Sequence, residues 1–185
     1  MRMFANVLCA ALTILPLRAG AQAPAAPNAV SAIGGVGRTW DDEGSLGTGG
    51  ALGVRFERRL LRNTGVEVSL DLLTHDRDSG YFQANGQTTF VSAVVVQRFG
   101  RKGVQPYLLG GVTLARHTGE VTFSDGRPQS RHSLDQGLTF GGGVAVLVGR
   151  SLEIGPEVRV YSLAPRNGSD PALAWVAGAR VGYRF

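Results

Sequence analysis

A chain of 185 residues has room for one domain, and its 43% hydrophobic content is enough for a folded body. Charged residues, at 18%, fall below the ~25% of an average soluble domain, and Lys102 is the single lysine, so arginine carries the basic charge. Those arginines are interleaved with acids along the chain instead of gathering on one face, which excludes a nucleic-acid partner.

Residues 1–23 read as a Sec export signal. Arg2 supplies a short positive start, and residues 4–17 form an apolar run too short to span a bilayer as a helix. Ala19-Gly20-Ala21 and Ala21-Gln22-Ala23 both match an A-x-A cleavage site. Cutting after Ala21 is preferred, because cutting after Ala23 leaves Pro24 at the new terminus. Pro16 and Arg18 interrupt the run and argue against an uncleaved anchor. Cys9, inside the run, is a poor lipid-attachment site, and its removal leaves no disulfide or thiol chemistry. Loss of Arg2 and Arg18 takes the net charge from +5 to about +3. Residues 24–28 form a flexible lead-in to a single folded unit over 29–185.

From there the chain shows period-two alternation and no convincing helical period. Strands are expected at about 29–40, 49–59, 65–75, 87–99, 104–117, 133–148, 151–163 and 172–185. The clearest alternation runs from Val66 to Leu72, from Leu152 to Val160 and from Leu52 to Glu57. The connections after the second, fourth and sixth strands are short. Those after the first, third, fifth and seventh are longer and polar, over 41–48, 76–86, 118–132 and 164–171. Short turns at one end and long loops at the other are the asymmetry of an outer-membrane barrel. The expected fold is all-β: an eight-stranded antiparallel up-and-down transmembrane barrel.

In a membrane barrel the apolar face of each strand looks outward to lipid and the polar face looks into the lumen. The charged positions on the polar faces are nearly balanced. Arg55, Arg98, Arg159, Arg180 and Arg184 stand against Glu57, Glu67, Asp71, Glu153 and Glu157. A narrow lumen requires such balance, because an unpaired buried charge is very costly. Glycines at inward positions (Gly141, Gly143, Gly155, Gly178, Gly182) would make room for long arginines opposite them. At eight strands the interior is filled by side chains, so an open diffusion channel is not expected.

In the last strand, counting back by twos from Phe185 gives Tyr183, Val181, Ala179, Ala177, Trp175 and Leu173, all apolar. This ending resembles the β-signal of bacterial outer-membrane proteins. Residues 106–112 and the Gly-rich segment 141–145 resemble the small OmpA/OmpX-like barrel family. The resemblance implies a Gram-negative outer-membrane location and a porin-family, OmpA-like envelope barrel. It also implies recognition by the barrel-assembly machinery through Phe185, Tyr183 and Val181. That family includes structural, adhesive and resistance proteins, so no single activity follows.

Chemistry is thin. His75, His117 and His132 all fall near the expected outer side. Some barrels resembling this one are lipid A deacylases with His and Ser two apart; His132 and Ser133 are adjacent, which in a strand sends them to opposite faces. Two histidines, His117 and His132, without a third ligand make a poor zinc site. No catalytic residue, metal or cofactor is therefore assigned. Residues 34–37 lack the lysine and helix of a phosphate loop, and Asn167-Gly168-Ser169 reads as a turn. Tyr81, Phe82, Val121 and Phe123 in the long loops either contact a partner or extend hairpins above the membrane. Arg77, Arg116, Arg127 and Arg131 are candidate contacts to lipopolysaccharide phosphates. The expected role is a monomeric, non-enzymatic envelope structural or surface-interaction protein among outer-membrane lipids and lipopolysaccharide. The alternatives are a lipid A-modifying enzyme, a narrow ion pore or a soluble ligand-binding barrel in the periplasm.

Overall fold

The computed structural model describes residues 28–41, 44–78, 82–100, 103–123, 128–164 and 172–185. The export signal, its cleavage points, the lead-in before Asn28, Tyr81, Arg127 and the turn at 167–169 lie outside the described residues. Eight strands follow in order: β1 (Asn28–Asp41), β2 (Gly44–Arg59), β3 (Thr64–Asp78), β4 (Phe82–Arg98), β5 (Val104–Phe123), β6 (Pro128–Val148), β7 (Leu152–Ala164) and β8 (Ala172–Arg184). Each pairs antiparallel with its sequence neighbour, and β1 pairs with β8, so the barrel has no free edge. Lipid offers no hydrogen bonds to an unpaired strand, so closure is what crossing it requires.

The pairing also sets the tilt. Followed around the wall from Ala29 through Glu57, Glu67, Val94, Gly111, Thr139, Tyr161 and Ala174, it returns to β1 at Thr39, ten residues further on. Strands staggered in this way cross the membrane obliquely.

The alternation has the inside-out sign. Leu52 is 69% exposed and Leu108 61%, whereas Arg159 is 0% exposed. The outer wall from Val30 and Val66 up to Val36, Leu72, Val91 and Leu114 is almost wholly apolar. Polar side chains end this belt. Arg38, Thr74, Thr89, Arg116, Gln136 and Ser162 share the outward parity at its outer limit, and Arg58 and Gln97 share it at the inner limit. Aromatic pairs mark the same two levels. Trp40 and Trp175 lie 6.5 Å apart at the outer level, and Tyr183 and Phe185 lie 6.5 Å apart at the inner. Rings favour such interfaces.

The inner turns are short, as expected. Gly103 and Gly149 hold φ of +68° and +69°, the left-handed region that glycine enters without a Cβ penalty. The outer hairpins differ from expectation. Asp78 pairs with Gln83, Phe82 with Phe123 and Thr122 with Pro128, so most of 76–86 and 118–132 is strand. Above the belt both faces meet water, so the apolar and polar contrast that marks a strand disappears while the backbone ladder continues.

The belt carries a direct test. Val68→Arg, in mid-belt, should cost about 2–4 kcal/mol in unfolding titrations of the protein in lipid vesicles. Thr89→Arg, at the outer limit, should cost less than about 1 kcal/mol. Equal costs at the two positions would contradict the belt.

Candidate functional site

Three layers fill the barrel. In the inner and central part a network of ions packs beside a small apolar cluster of Val94, Val96, Tyr107, Leu109 and Ala145. At the inner end Arg98 grips Glu57 with Nε at 3.1 Å and Nη2 at 2.5 Å. Arg59 donates to Glu153 at 3.0 Å, and Arg184 contacts Glu153 and donates to Gln105 at 2.9 Å. Further in, Arg180 lies 3.4 Å from Glu57, 3.2 Å from Glu67 and 3.1 Å from Glu157. Arg159 donates to Glu157 at 2.7 Å and to Ser69 at 2.9 Å, and it contacts Glu67. Arg55 donates to Asp71 at 2.9 Å and lies 3.1 Å from Glu157. The Tyr107 hydroxyl donates to Glu157 at 2.5 Å and that of Tyr161 to Asp71 at 3.0 Å.

All ten charged positions singled out from the sequence point inward and meet here. Arg59 belongs with them and was missed. It has the same strand parity as Arg55 and Glu57, but it sits at a strand end, where a charge reads as a solvated turn. The glycines make room in a different way from the one expected. A Cβ at Gly143 would stand 2.6 Å from the Tyr107 hydroxyl, and one at Gly53 would press on the Asp71 carboxylate. Gly141 does lie beside an arginine stem, with Arg159 Cγ 3.2 Å from its would-be Cβ. At Gly155 and Gly178 a Cβ would strike the carbonyl of a neighbouring strand, Val144 and Gly34 respectively, so those two serve backbone approach.

Above the ions lies an apolar plug that the sequence reading did not anticipate. Phe90 and Tyr161 stack at 4.0 Å, 16° from parallel. Leu73, Leu163, Val176, Ala51, Ala115 and Ala174 pack around them, all buried. The signal was present in consecutive apolar pairs such as Leu72-Leu73, Phe90-Val91 and Val160-Tyr161, where both faces of a strand are apolar at one level.

The third layer is the polar outer mouth. His117 bridges Thr88 and Asp135, with 2.9 Å between Nδ1 and the Thr88 hydroxyl and 3.2 Å between Nε2 and Asp135. Ser133 donates to Asp135 at 3.5 Å. The acid contacts both serine and histidine, and the Ser133 hydroxyl gives its hydrogen bond to the acid. In register His117 faces Ser133 while His132 faces Thr118, so the two histidines are one step out of line. Among the described residues, no group of three or more His, Cys, Asp or Glu could hold a metal ion.

A model of the outer membrane protein beta-barrel domain matches residues 7–185. The chain belongs to this outer-membrane barrel family. Solved structures agree on the fold. Neisserial surface protein A superposes with a TM-score of 0.65 at 16% identity, over 85% of this chain and 97% of that one. Ail, the attachment invasion locus protein of Yersinia pestis, gives 0.58 at 19%, over 86% and 99%. The outer membrane enzyme PagL gives 0.51 at 12%, over 84% and 97%. Identities this low establish the shared barrel alone. No curated protein sequence matches the chain significantly.

The remaining candidate residues of this outer-membrane barrel sit on its wall and rims. Arg116 is exposed at the outer limit of the belt. Arg77 and Arg131 lie on the hairpin extensions, but their side chains, like Arg127, fall outside the described residues. Val181 and Tyr183 on β8, and Phe185 just after it, are exposed. The Phe185 backbone exchanges hydrogen bonds with Asn28 at 2.9 and 3.1 Å, completing the seam.

The network predicts strong coupling. Arg159→Met leaves Glu67 and Glu157 short of a partner and should cost about 3–5 kcal/mol in vesicle unfolding titrations. Adding Glu67→Gln should recover part of that loss, with non-additivity of at least about 1 kcal/mol. Strict additivity would show that the two do not share their energy.

Proposed function

We propose that this protein is a non-enzymatic envelope barrel that acts through its lipid-facing wall and outer hairpins, and does not act through its lumen. The observation that carries the reading is the plug: Phe90 and Tyr161 stack, 0% exposed, above the ion network. Refolded protein in planar bilayers should show no stable unit conductance; reproducible current steps would overturn this.

The outer hairpins are the working surface. Ail has been crystallised with a heparin analogue, sucrose octasulfate, which supports polyanion contact as a role for an outer surface of this kind. On this reading Arg116, with Arg77, Arg127 and Arg131, meets lipopolysaccharide phosphates, since arginine pairs with phosphate through two parallel bonds. Replacing the four with alanine should weaken association with lipopolysaccharide-containing liposomes and leave phospholipid liposomes unaffected. Equal binding by both proteins would end the idea. In the same samples lipid A should stay intact; a product lost on Ser133→Ala or His117→Ala would instead favour a lipid-modifying enzyme, as PagL's shared barrel allows. The chain reaches the membrane by Sec export and is folded as a monomer by the barrel-assembly machinery through Val181, Tyr183 and Phe185.

A further inference from the structure

The two ends of the barrel differ in their acids. Five acids, Glu57, Glu67, Asp71, Glu153 and Glu157, are spent inside the lumen. All other acids, at positions 41–43, 76, 78, 120, 125, 135 and 170, fall at or beside the outer ends of the strands. The inner turns contain none. Arg58, Arg62 and Arg150 are exposed there and make no ion pair among the described residues. By sequence the turn between β4 and β5 adds Arg101 and Lys102.

Their depth is informative. Arg58 lies two residues beyond Phe56 on the outward face of β2, with Val66 opposite it on β3. Arg150 sits in the turn whose neighbour Ser151 accepts the Arg184 amide at 2.8 Å, and Arg184 lies between Tyr183 and Phe185 in the chain. Exposed Phe56, Phe99, Tyr183 and Phe185 place this rim at the interface. Guanidiniums just past such rings stand at the level of lipid phosphates, and their stems lie along the apolar wall.

We infer that the inner rim, through Arg58, Arg62 and Arg150, binds the headgroups of anionic phospholipids in the leaflet facing the periplasm. A soluble polyanion fits less well, because Arg58 is flanked on its own face by Phe56 and Val66, which acyl chains cover.

The test uses the whole mature chain refolded into phosphatidylcholine vesicles, with a fluorophore on Leu60→Cys, between Arg58 and Arg62. The vesicles carry a minor fraction of brominated phosphatidylglycerol or brominated phosphatidylcholine. The glycerol lipid should quench more strongly. The Arg58→Ala, Arg62→Ala, Arg150→Ala triple variant should lower its relative association roughly fivefold for each arginine removed. The corresponding lysine triple should keep most of the preference, and Arg116→Ala should leave it unchanged. Heat-modifiable migration on gels checks that each variant folds. Equal quenching by the two lipids, or a preference untouched in the alanine triple, would overturn the inference. So would arginine-dependent binding of soluble heparin with no lipid preference.

Discussion

Six guanidiniums enclosed by a lipid-facing wall can find counter-ions only inside that wall. Arg55, Arg59, Arg98, Arg159, Arg180 and Arg184 therefore share five carboxylates drawn from β2, β3 and β7. The partners are far apart in sequence, Arg159 and Glu67 by 92 residues. Pairing them and closing the sheet are then one event, because a half-closed barrel leaves arginines without carboxylates. A buried ion cluster of this kind need not out-stabilise a well-packed apolar core. What it adds is register. Slipping β2, β3, β4, β7 or β8 by one residue would send its arginines or acids into lipid and its aliphatics into the ion cluster.

The apolar plug and the polar mouth follow from the same geometry. A narrow barrel must be filled at every level. At the outer limit of the belt it is filled by stacked rings and aliphatics, whose burial needs no partner. Above the belt, water returns on both sides of the wall. There the hydrogen-bonded pairs Thr88–His117 and Ser133–Asp135 lie side by side and can tolerate hydration. Serine, histidine and acid all stand at this mouth, and the acid contacts both of the others.

Much of this was legible in the chain. Val66 to Leu72 and Leu152 to Val160 state strand, face and lumen charge together, because one side meets lipid and the other meets ions. Legibility failed wherever that contrast vanished. In β4, Phe90 to Val96 is apolar on nearly every residue, so the inward ring of Phe90 was hidden among outward valines. In the outer hairpins both faces are polar, so strand beyond Thr118 and before Gln87 looked like loop. Arg59 was lost because a charge at a strand end has two ordinary explanations. The relation of Ser133 to His117 was not readable at all, since it depends on the register between β5 and β6 and not on spacing within either.

The position of the plug divides the lumen unequally. Phe90 and Tyr161 seal it from the side that faces the surroundings, and what little contact the ions have with water is at the other end, where the Arg59 side chain is 10% exposed and that of Arg184 7%. The electrostatic core is therefore closer to water at its inner end than at the end covered by the plug. Water and ions outside meet the hairpins and the His117 cluster directly, whereas they meet the charges that hold the cylinder together by way of its inner end.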